Sequence, residues 1–431
     1  MKTARTWRLD MKDFFMLSGS RHRPQVKGPK WIVVLVCMVT IFLIAAYTYP
    51  PRSSAVCNIF SPSGCYVLKK LQPIPVRELT DAERAAEVVI KEILRTPTVQ
   101  SKNPKIAFMF MTPGPLPFEK LWDLFFQGHE DRFTVYVHAS KEAPAHVSRY
   151  FIGRDIRSDK VEWGRISMVD AERRLVSNAL RDPDNQQFVL LSDSCIPIHN
   201  FDYVYNHLIF TNVSFIDSFE DPGPHGGGRY SEHMLPEVEK KNFRKGSQWF
   251  TMKRQHAILI TADSLYYNKF RDYCRPGMEE GRNCYSDEHY LPTLFKMFDT
   301  NGITSYSVTY TDWSEMKWHP KLFRAKDVSF DLLKTMGSIQ DSIHITSDEK
   351  RTVLTRPCMW NGMKRPCYLF ARKFDPDSLR IQSFTLFHFF EFAEHWWMLE
   401  NVRSPFVLPF GLGAMKIIRA NSNFVIGHCS L

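Results

Sequence analysis

The hydrophobic and polar positions of this chain fall into three successive textures. From Trp31 to Tyr49 the run WIVVLVCMVTIFLIAAYTY holds 19 residues without a charge, close to the about 20 that cross a bilayer as a helix. Pro50 and Pro51 end it. From residue 50 to about 103 the chain reads as a stem with one helix. Thr80 and Glu83 have the spacing of a capping box, and Ala82, Ala85, Ala86, Val89, Ile90, Ile93 and Leu94 recur at helical spacing until Pro97. From residue 104 to 431 strands alternate with helices.

In that third region Ile106 to Met111 (IAFMFM) predicts a buried strand, followed by the turn residues Pro113, Gly114, Pro115 and Pro117. A helical pattern over 118–127 and the strand 133–138 (FTVYVH) complete a strand-helix-strand unit of the size of a parallel pairing. Ser167 predicts a helix cap, with Met168, Ala171, Leu175 and Ala179 on one face. The apolar run 188–191 (FVLL) then ends in Ser192-Asp193-Ser194. Such runs belong to parallel strands covered on both faces, so the fold class is α/β. In open α/β sheets ligands sit beyond the carboxyl ends of the strands. That rule nominates Thr112 to Pro117, His138 to Ser140, Trp163-Gly164 and Ser192 to Ser194. No GxGxxG or GxxxxGK[ST] occurs, which removes the usual support for a dinucleotide or P-loop site. His225-Gly-Gly-Gly-Arg229-Tyr230 reads as a mobile binding loop, ahead of an apolar stretch over 249–260 interrupted by Lys253 and Arg254.

Composition changes this picture in one respect. The 431 residues are 44% hydrophobic and 24% charged, as a folded protein requires, with a net charge of +10. Within residues 1–30, eight Lys and Arg face only Asp10 and Asp13, so this short tail carries six of the ten net charges. Lys and Arg beside an apolar span stay on the cytosolic side. The expected organisation is therefore a cytosolic tail (1–30), an uncleaved signal-anchor (31–49), a stem (50–103) and a lumenal domain (104–431), in the secretory pathway. The remaining +4 over 380 residues gives no nucleic-acid surface. Outside the anchor, with its Cys37, stand Cys57, Cys65, Cys195, Cys274, Cys284, Cys358, Cys367 and Cys429, an even number that suits up to four disulfides in an oxidising lumen. Cys274 with Cys284 and Cys358 with Cys367 are the nearest in sequence, and Asn212-Val-Ser214 is a glycosylation acceptor pattern.

Three clusters could carry chemistry. In Cys284-Tyr-Ser-Asp-Glu-His-Tyr-Leu-Pro292, Ser286 predicts a helix N-cap, with Asp287 and Glu288 in the first turn, where the helix dipole favours an ionised carboxylate. Pro292 cannot donate to the carbonyl of Glu288. The strand-like run 368–374 ends in Arg372-Lys373, which could meet a phosphate; Arg351 and Lys364-Arg365 are weaker candidates. Near His319, Asp312 and Trp313 could accept and stack on a sugar, although core packing is the ordinary role of a lone Trp. Trp318, Trp360, Trp396 and Trp397 add to an aromatic last third, with Trp396 and Trp397 read as packing.

Taken in order, PKIAFMFMTPGPLPFEKLW, VYVHAS, VEWGRISMVDAERRLV, FVLLSDSCIPI, GRYSEHMLPEV, KGSQWFTMKRQHA, CYSDEHYLPTL, TDWSEMKWHP and CYLFARKF resemble the plant branch of the core-2/I-branching β-1,6-N-acetylglucosaminyltransferases. The resemblance implies a GT-A-like nucleotide-sugar fold, a UDP-sugar donor, a glycan or glycoprotein acceptor, inversion at the anomeric carbon and residence in the Golgi membrane. It places the catalytic base on Glu288, supported by Asp287. The animal enzymes lack the metal-binding Asp-x-Asp motif; here one acid, Asp193, stands at the matching strand end. Their diphosphate-binding Lys falls on Lys373, with Arg372 beside it and a second Arg at Arg351 or Arg365. No metal ligand is expected, and Mn²⁺ is not expected to be required. Thr112, His138, Trp163, Gly164 and Asp193 are the expected donor residues, and Arg229, Asp312 and Trp313 the expected acceptor residues. Where the animal strand ends in Asp, this chain has Ser140. Related plant enzymes act on cell-wall glycans and arabinogalactan glycoproteins, some with glucuronic acid. A catalytically silent Golgi scaffold subunit is the alternative reading. A hydrolase would need a second carboxylate across the sugar.

Overall fold

The computed structural model describes residues 30–48, 77–97, 100–278, 281–315, 317 and 319–378. The basic tail 1–29, Pro50 and Pro51, Cys57, Cys65, Trp318, Trp396, Trp397 and Cys429 lie outside them. The chain forms two units, residues 1–78 and 79–431. In the first, the backbone is helical over Lys30–Thr48 (α1). Its described side chains, residues 34–44, are all exposed. Among the described residues no helix is long and apolar enough to cross a membrane.

The second unit opens with α2 (Asp81–Arg95), whose capping box forms as its sequence predicts: Glu83 N–H donates to Thr80 Oγ1 (3.2 Å) and Thr80 N–H to Glu83 Oε2 (2.8 Å). This helix packs against the domain that follows it. Ile90 is buried, and Gln255 Nε2 donates to the carbonyls of Ile93 and Leu94 at its last turn.

Strands β1 (Lys105–Thr112), β2 (Phe133–Ala139) and β3 (Asn185–Ser192) pair in parallel in the order β2-β1-β3, and β5 (Thr251–Lys253) adds antiparallel beyond β3. The period-two alternation of β1 explains why an uninterrupted apolar run is needed. Ile106, Phe108 and Phe110 face one core with Trp122, Phe126, Val189 and Leu191, under α3 (Glu119–Phe126). Ala107, Met109 and Met111 face the other with Phe188, Leu190 and Leu175, under α4 (Ser167–Ala179). Phe108 alone meets the rings of Trp122, Phe125, Phe126, Phe133, Phe201 and Phe370, so its truncation to Ala should cost roughly 3–5 kcal/mol.

Helix α5 (Phe201–Ile209) follows the short strand β4 (Ile196–Pro197), and α6 (Arg254–Ala262) follows β5 directly. Lys253 and Arg254, which interrupt the apolar stretch in sequence, therefore mark a strand-to-helix switch. Next come α7 (Leu265–Tyr273), α8 (Ser286–Phe298), β6 (Thr309–Thr311) and α9 (Phe330–Ser338). The hairpin β7 (Asp341–Ile345) with β8 (Val353–Pro357), the two-residue strands β9 (Met359–Trp360) and β10 (Met363–Lys364), and β11 (Phe370–Arg372) complete the described chain. In a second sheet β11 lies between β4 and β6.

Three local expectations are corrected. Ser167 lies inside α4, and its hydroxyl accepts from Glu162 N–H (2.9 Å), fixing the loop before the helix instead of capping it. Ser286 lies inside α8; Tyr285 is the N-cap, and the buried Ser286 hydroxyl donates to Cys274 C=O (2.7 Å). The Gly226 to Arg229 segment is not a loose loop: Gly227 N–H bonds Asp221 C=O (2.6 Å), and Ser347 N–H and hydroxyl bond the Asp221 carboxylate. A Cβ on Gly226 would lie 2.2 Å from Asp221 O, so only glycine permits that wrap. Among the described residues two disulfides form, Cys274–Cys284 and Cys358–Cys367, each joining sequence neighbours. Cys195 is a buried free thiol.

Candidate active site

Asp287 and Glu288 sit in the first turn of α8. The carbonyl that Pro292 leaves without a helical partner, that of Glu288, accepts Gly246 N–H at 2.9 Å. Gly246 fits there because a Cβ would strike Asp217 O at 2.0 Å and the Pro292 ring at 2.9 Å. Ser218 Oγ likewise donates to Pro292 C=O (3.1 Å). The proline therefore opens α8 at its start and turns the freed carbonyl into an anchor for the 244–249 segment.

The Glu288 carboxylate is part exposed and accepts from Arg229 Nη1 at 2.6 Å. The same nitrogen lies 3.4 Å from His289 Nε2. His289 Nδ1 faces Arg244 C=O at 2.7 Å, so Nδ1 carries the proton and Nε2 is free to accept from Arg229. Burial holds His289 well below the ordinary imidazole range, hence neutral. The Arg229 guanidinium lies 4.5 Å over the Tyr285 ring, whose other neighbour is Trp163 at 5.0 Å between centroids. Gly164, at φ +73°, lets that loop close on Tyr285: a Cβ would lie 2.6 Å from the ring. Trp163 is 60% exposed, and His319, in the loop that carries Asp312 and the exposed Trp313, lies 6.0 Å from its ring. Glu288 and Trp163 are thus joined through Arg229 and the Tyr285 ring, with Gly164 packed against that ring.

Asp287 is buried. Burial and the adjacent Glu288 charge push its carboxyl up to about 7. Behind it Glu172, fully buried on α4, is raised well above the usual carboxylate range by burial and by Asp287, and accepts from Gln248 Nε2 at 3.2 Å. Two buried carboxyls facing one another favour protonation.

A second cluster lies at the carboxyl end of β3. Antiparallel pairing of β11 with β4 and the bond from Phe374 N–H to Ser194 C=O (3.1 Å) bring Arg372 and Lys373 beside Asp193. Burial raises the Asp193 carboxyl, and both cations oppose that rise. Burial lowers Arg372, with Cys195 and Asp193 as its counter-groups, and its guanidinium lies 4.3 Å over the Trp249 ring.

The other nominated residues are placed as follows. Thr112 is buried, and its hydroxyl is bonded within its own turn, to Gly114 and Pro115. His138 is buried, with Nε2 2.9 Å from Arg174 Nη1. Burial and then Arg174 lower it to about 4, so it is neutral. Arg351 lines a cleft of about 530 Å³ with Pro222, Gly223, Gly228, Ser347 and Asp348, apart from the Asp193 cluster. Arg365 N–H bonds Cys358 C=O, at the second disulfide. Asn212 is exposed. Among the described residues no group of three or more His, Cys, Asp or Glu is arranged to hold a metal ion. Sequence reasoning missed Tyr285, Trp249, Gln248, Glu172 and Lys245. Lys245 has its ammonium lowered by burial while Glu288 opposes the shift. All five lie within three of the quoted motifs; what each touches was the missing information.

An open parallel sheet with a carboxylate-guanidinium pair and a basic cluster at its ligand end is the frame of a group-transfer enzyme. The chain belongs to the Core-2/I-Branching enzyme family, whose model matches residues 106–337. It is a glycosyltransferase. A rice protein, Glycosyltransferase BC10 of Oryza sativa subsp. japonica, is 35% identical over 306 residues, spanning 63% of this chain and 74% of that protein.

Proposed function

We propose that this enzyme moves a sugar, of the N-acetylglucosamine type or glucuronic acid, from a UDP-sugar to a hydroxyl on a cell-wall polysaccharide or glycoprotein glycan, with inversion and without a required metal. The observation that carries this reading is the pairing of a part-exposed Glu288, held by Arg229, with the Asp193, Arg372 and Lys373 cluster at the carboxyl end of β3. Glu288 takes the proton of the acceptor hydroxyl as its oxygen attacks the anomeric carbon. The bond from that carbon to the phosphate oxygen breaks, and the electron pair leaves on UDP from the opposite face. Lys373 and Arg372 meet the charge that develops on the diphosphate. Asp193 is already countered by these two cations, which favours side-chain cations over a divalent ion at this strand end. Asp287, whose carboxyl burial and Glu288 push up to about 7, holds its proton in part near neutral pH, so that Glu288 carries most of the negative charge of its turn.

The donor nucleotide is assigned to the strand ends at Thr112, His138 and Trp163-Gly164, and the acceptor to Arg229, Asp312 and Trp313. Arg351, which lines the separate cleft beside Gly228, is a weaker candidate for the diphosphate than Lys373 and Arg372, and Asn212 is an N-glycosylation position of the protein itself. The lumenal Golgi placement, behind a type II anchor over residues 31–49, rests on the charge-free run beside a basic tail and on the exposed apolar side chains of residues 34–44. A donor screen with the purified chain, reading UDP release from UDP-N-acetylglucosamine, UDP-glucuronic acid, UDP-galactose and UDP-xylose, tests the reading. Calorimetric binding of none of them would leave the scaffold alternative.

A further inference from the structure

The four residues Gly246 to Trp249 touch both halves of the site. Gly246 N–H bonds Glu288 C=O, Ser247 N–H bonds Asp217 Oδ2 (3.0 Å), and Gln248 bonds Glu172 behind Asp287. Trp249, only 6% exposed, is fixed through its backbone: its N–H donates to Ser247 Oγ (3.2 Å) and its C=O accepts from Ser307 Oγ (2.5 Å). Its ring then lies 4.3 Å under the Arg372 guanidinium. Arg372 Nε is buried and has no hydrogen-bond partner among the described residues. A buried guanidinium left with open donor capacity is held ready for an anion, and the negative face of an indole holds the cation without consuming a donor. A carboxylate in that place would occupy the N–H groups that a phosphate needs.

From this arrangement we infer that Trp249 is a positioning residue for the transfer reaction: its ring holds Arg372 in place, with Nε free, at the carboxyl end of β3 for the diphosphate of the nucleotide donor. The inference rests on the UDP-sugar reading above. It also makes the 246–249 segment the physical link between the base helix and the diphosphate cations.

The test uses the full chain, with UDP and uridine as calorimetric probes and donor KM and kcat as kinetic ones. Trp249→Leu should weaken UDP binding about tenfold, the scale of a desolvated cation-aromatic contact, and leave uridine binding unchanged. Trp249→Phe, which keeps an aromatic face, should restore most of the affinity. In an Arg372→Gln background Trp249→Leu should have no further effect on UDP. Should the Leu variant not fold, Trp249→Met against Trp249→Phe decides the matter, since Met fills volume without a ring. Equal affinities for the Phe and Met variants, or equal losses for UDP and uridine, overturn the inference and leave the UDP-sugar reading intact. Failure of the wild-type chain to bind UDP overturns the reading and the inference with it.

Discussion

Arg229 Nη1 lies 2.6 Å from Glu288 Oε2 across 59 residues of sequence. One guanidinium thereby holds the carboxylate, touches His289 and covers Tyr285. A charge-assisted bond of this length fixes the carboxylate's direction as well as its charge. Glu288→Gln should lower transfer by about 10²–10⁴, the usual worth of a positioned base, with UDP affinity unchanged. Arg229→Lys should lower kcat less, by roughly tenfold, since an ammonium cannot bridge Glu288 and His289 in one plane. Steady-state kinetics beside UDP calorimetry separate the two effects.

Lys373 stands beside Asp193 at the carboxyl end of β3. Lys373→Ala should cut kcat/KM for the donor by about 100-fold, the loss expected when one charge stabiliser of a leaving group is removed. Wild-type activity should survive EDTA. Strict dependence on Mn²⁺ in the same assay would remove the proposal that side chains replace the metal.

The Asp287 carboxyl, raised from 3.8 to about 7 by burial and by Glu288, binds its proton more tightly in the folded state than in the unfolded one. Stability from this group is therefore full at low pH and is lost as pH rises from the ordinary carboxylate value near 4 to about 7. Asp287→Asn keeps the shape and has no charge to bury. Urea unfolding at pH 5 and pH 8 should show the Asn variant gaining on wild type at the higher pH, on the order of 1–3 kcal/mol. An equal difference at both values would mean that Asp287 is ionised in the fold.

The Cys274–Cys284 bridge closes a loop of about ten residues immediately before α8, and Ser286 Oγ bonds the Cys274 carbonyl. A Cys274→Ser and Cys284→Ser pair should cost about 2–3 kcal/mol of stability by loop entropy. It should also lower kcat, because the first turn of α8 carries Glu288. Removing Cys358–Cys367 should lower Tm with a smaller effect on kcat. Thermal melts and kinetics on both variants give the comparison.

Much of the scaffold was legible in the chain because its signals are local. The capping box of Thr80 and Glu83, the buried runs 106–111 and 188–191 and the strand 133–138 depend on neighbours within a few residues, and each formed as read. The caps assigned to Ser167 and Ser286 did not form. A serine before a helical pattern can serve any nearby donor or acceptor, and tertiary partners at Glu162 and Cys274 took both hydroxyls. The glycine run at 226–228 reads as loose in sequence because glycine marks both free and tightly wrapped backbone; Asp221 and Ser347 decided for the second.

The sequence by itself determined the α/β class, the position of Asp287 and Glu288 in the first turn of a helix, the carbonyl that Pro292 would leave open, and the family. Only the tertiary structure decided what fills that carbonyl, which cation meets Glu288, and why Arg372 is more than a basic residue at a strand end. The reason is physical. Periodicity and capping are written in residues a few positions apart, whereas Arg229 with Glu288 and Trp249 with Arg372 are brought together by chain closure around two cores that flank one sheet. Such closure depends on the packing of the whole domain.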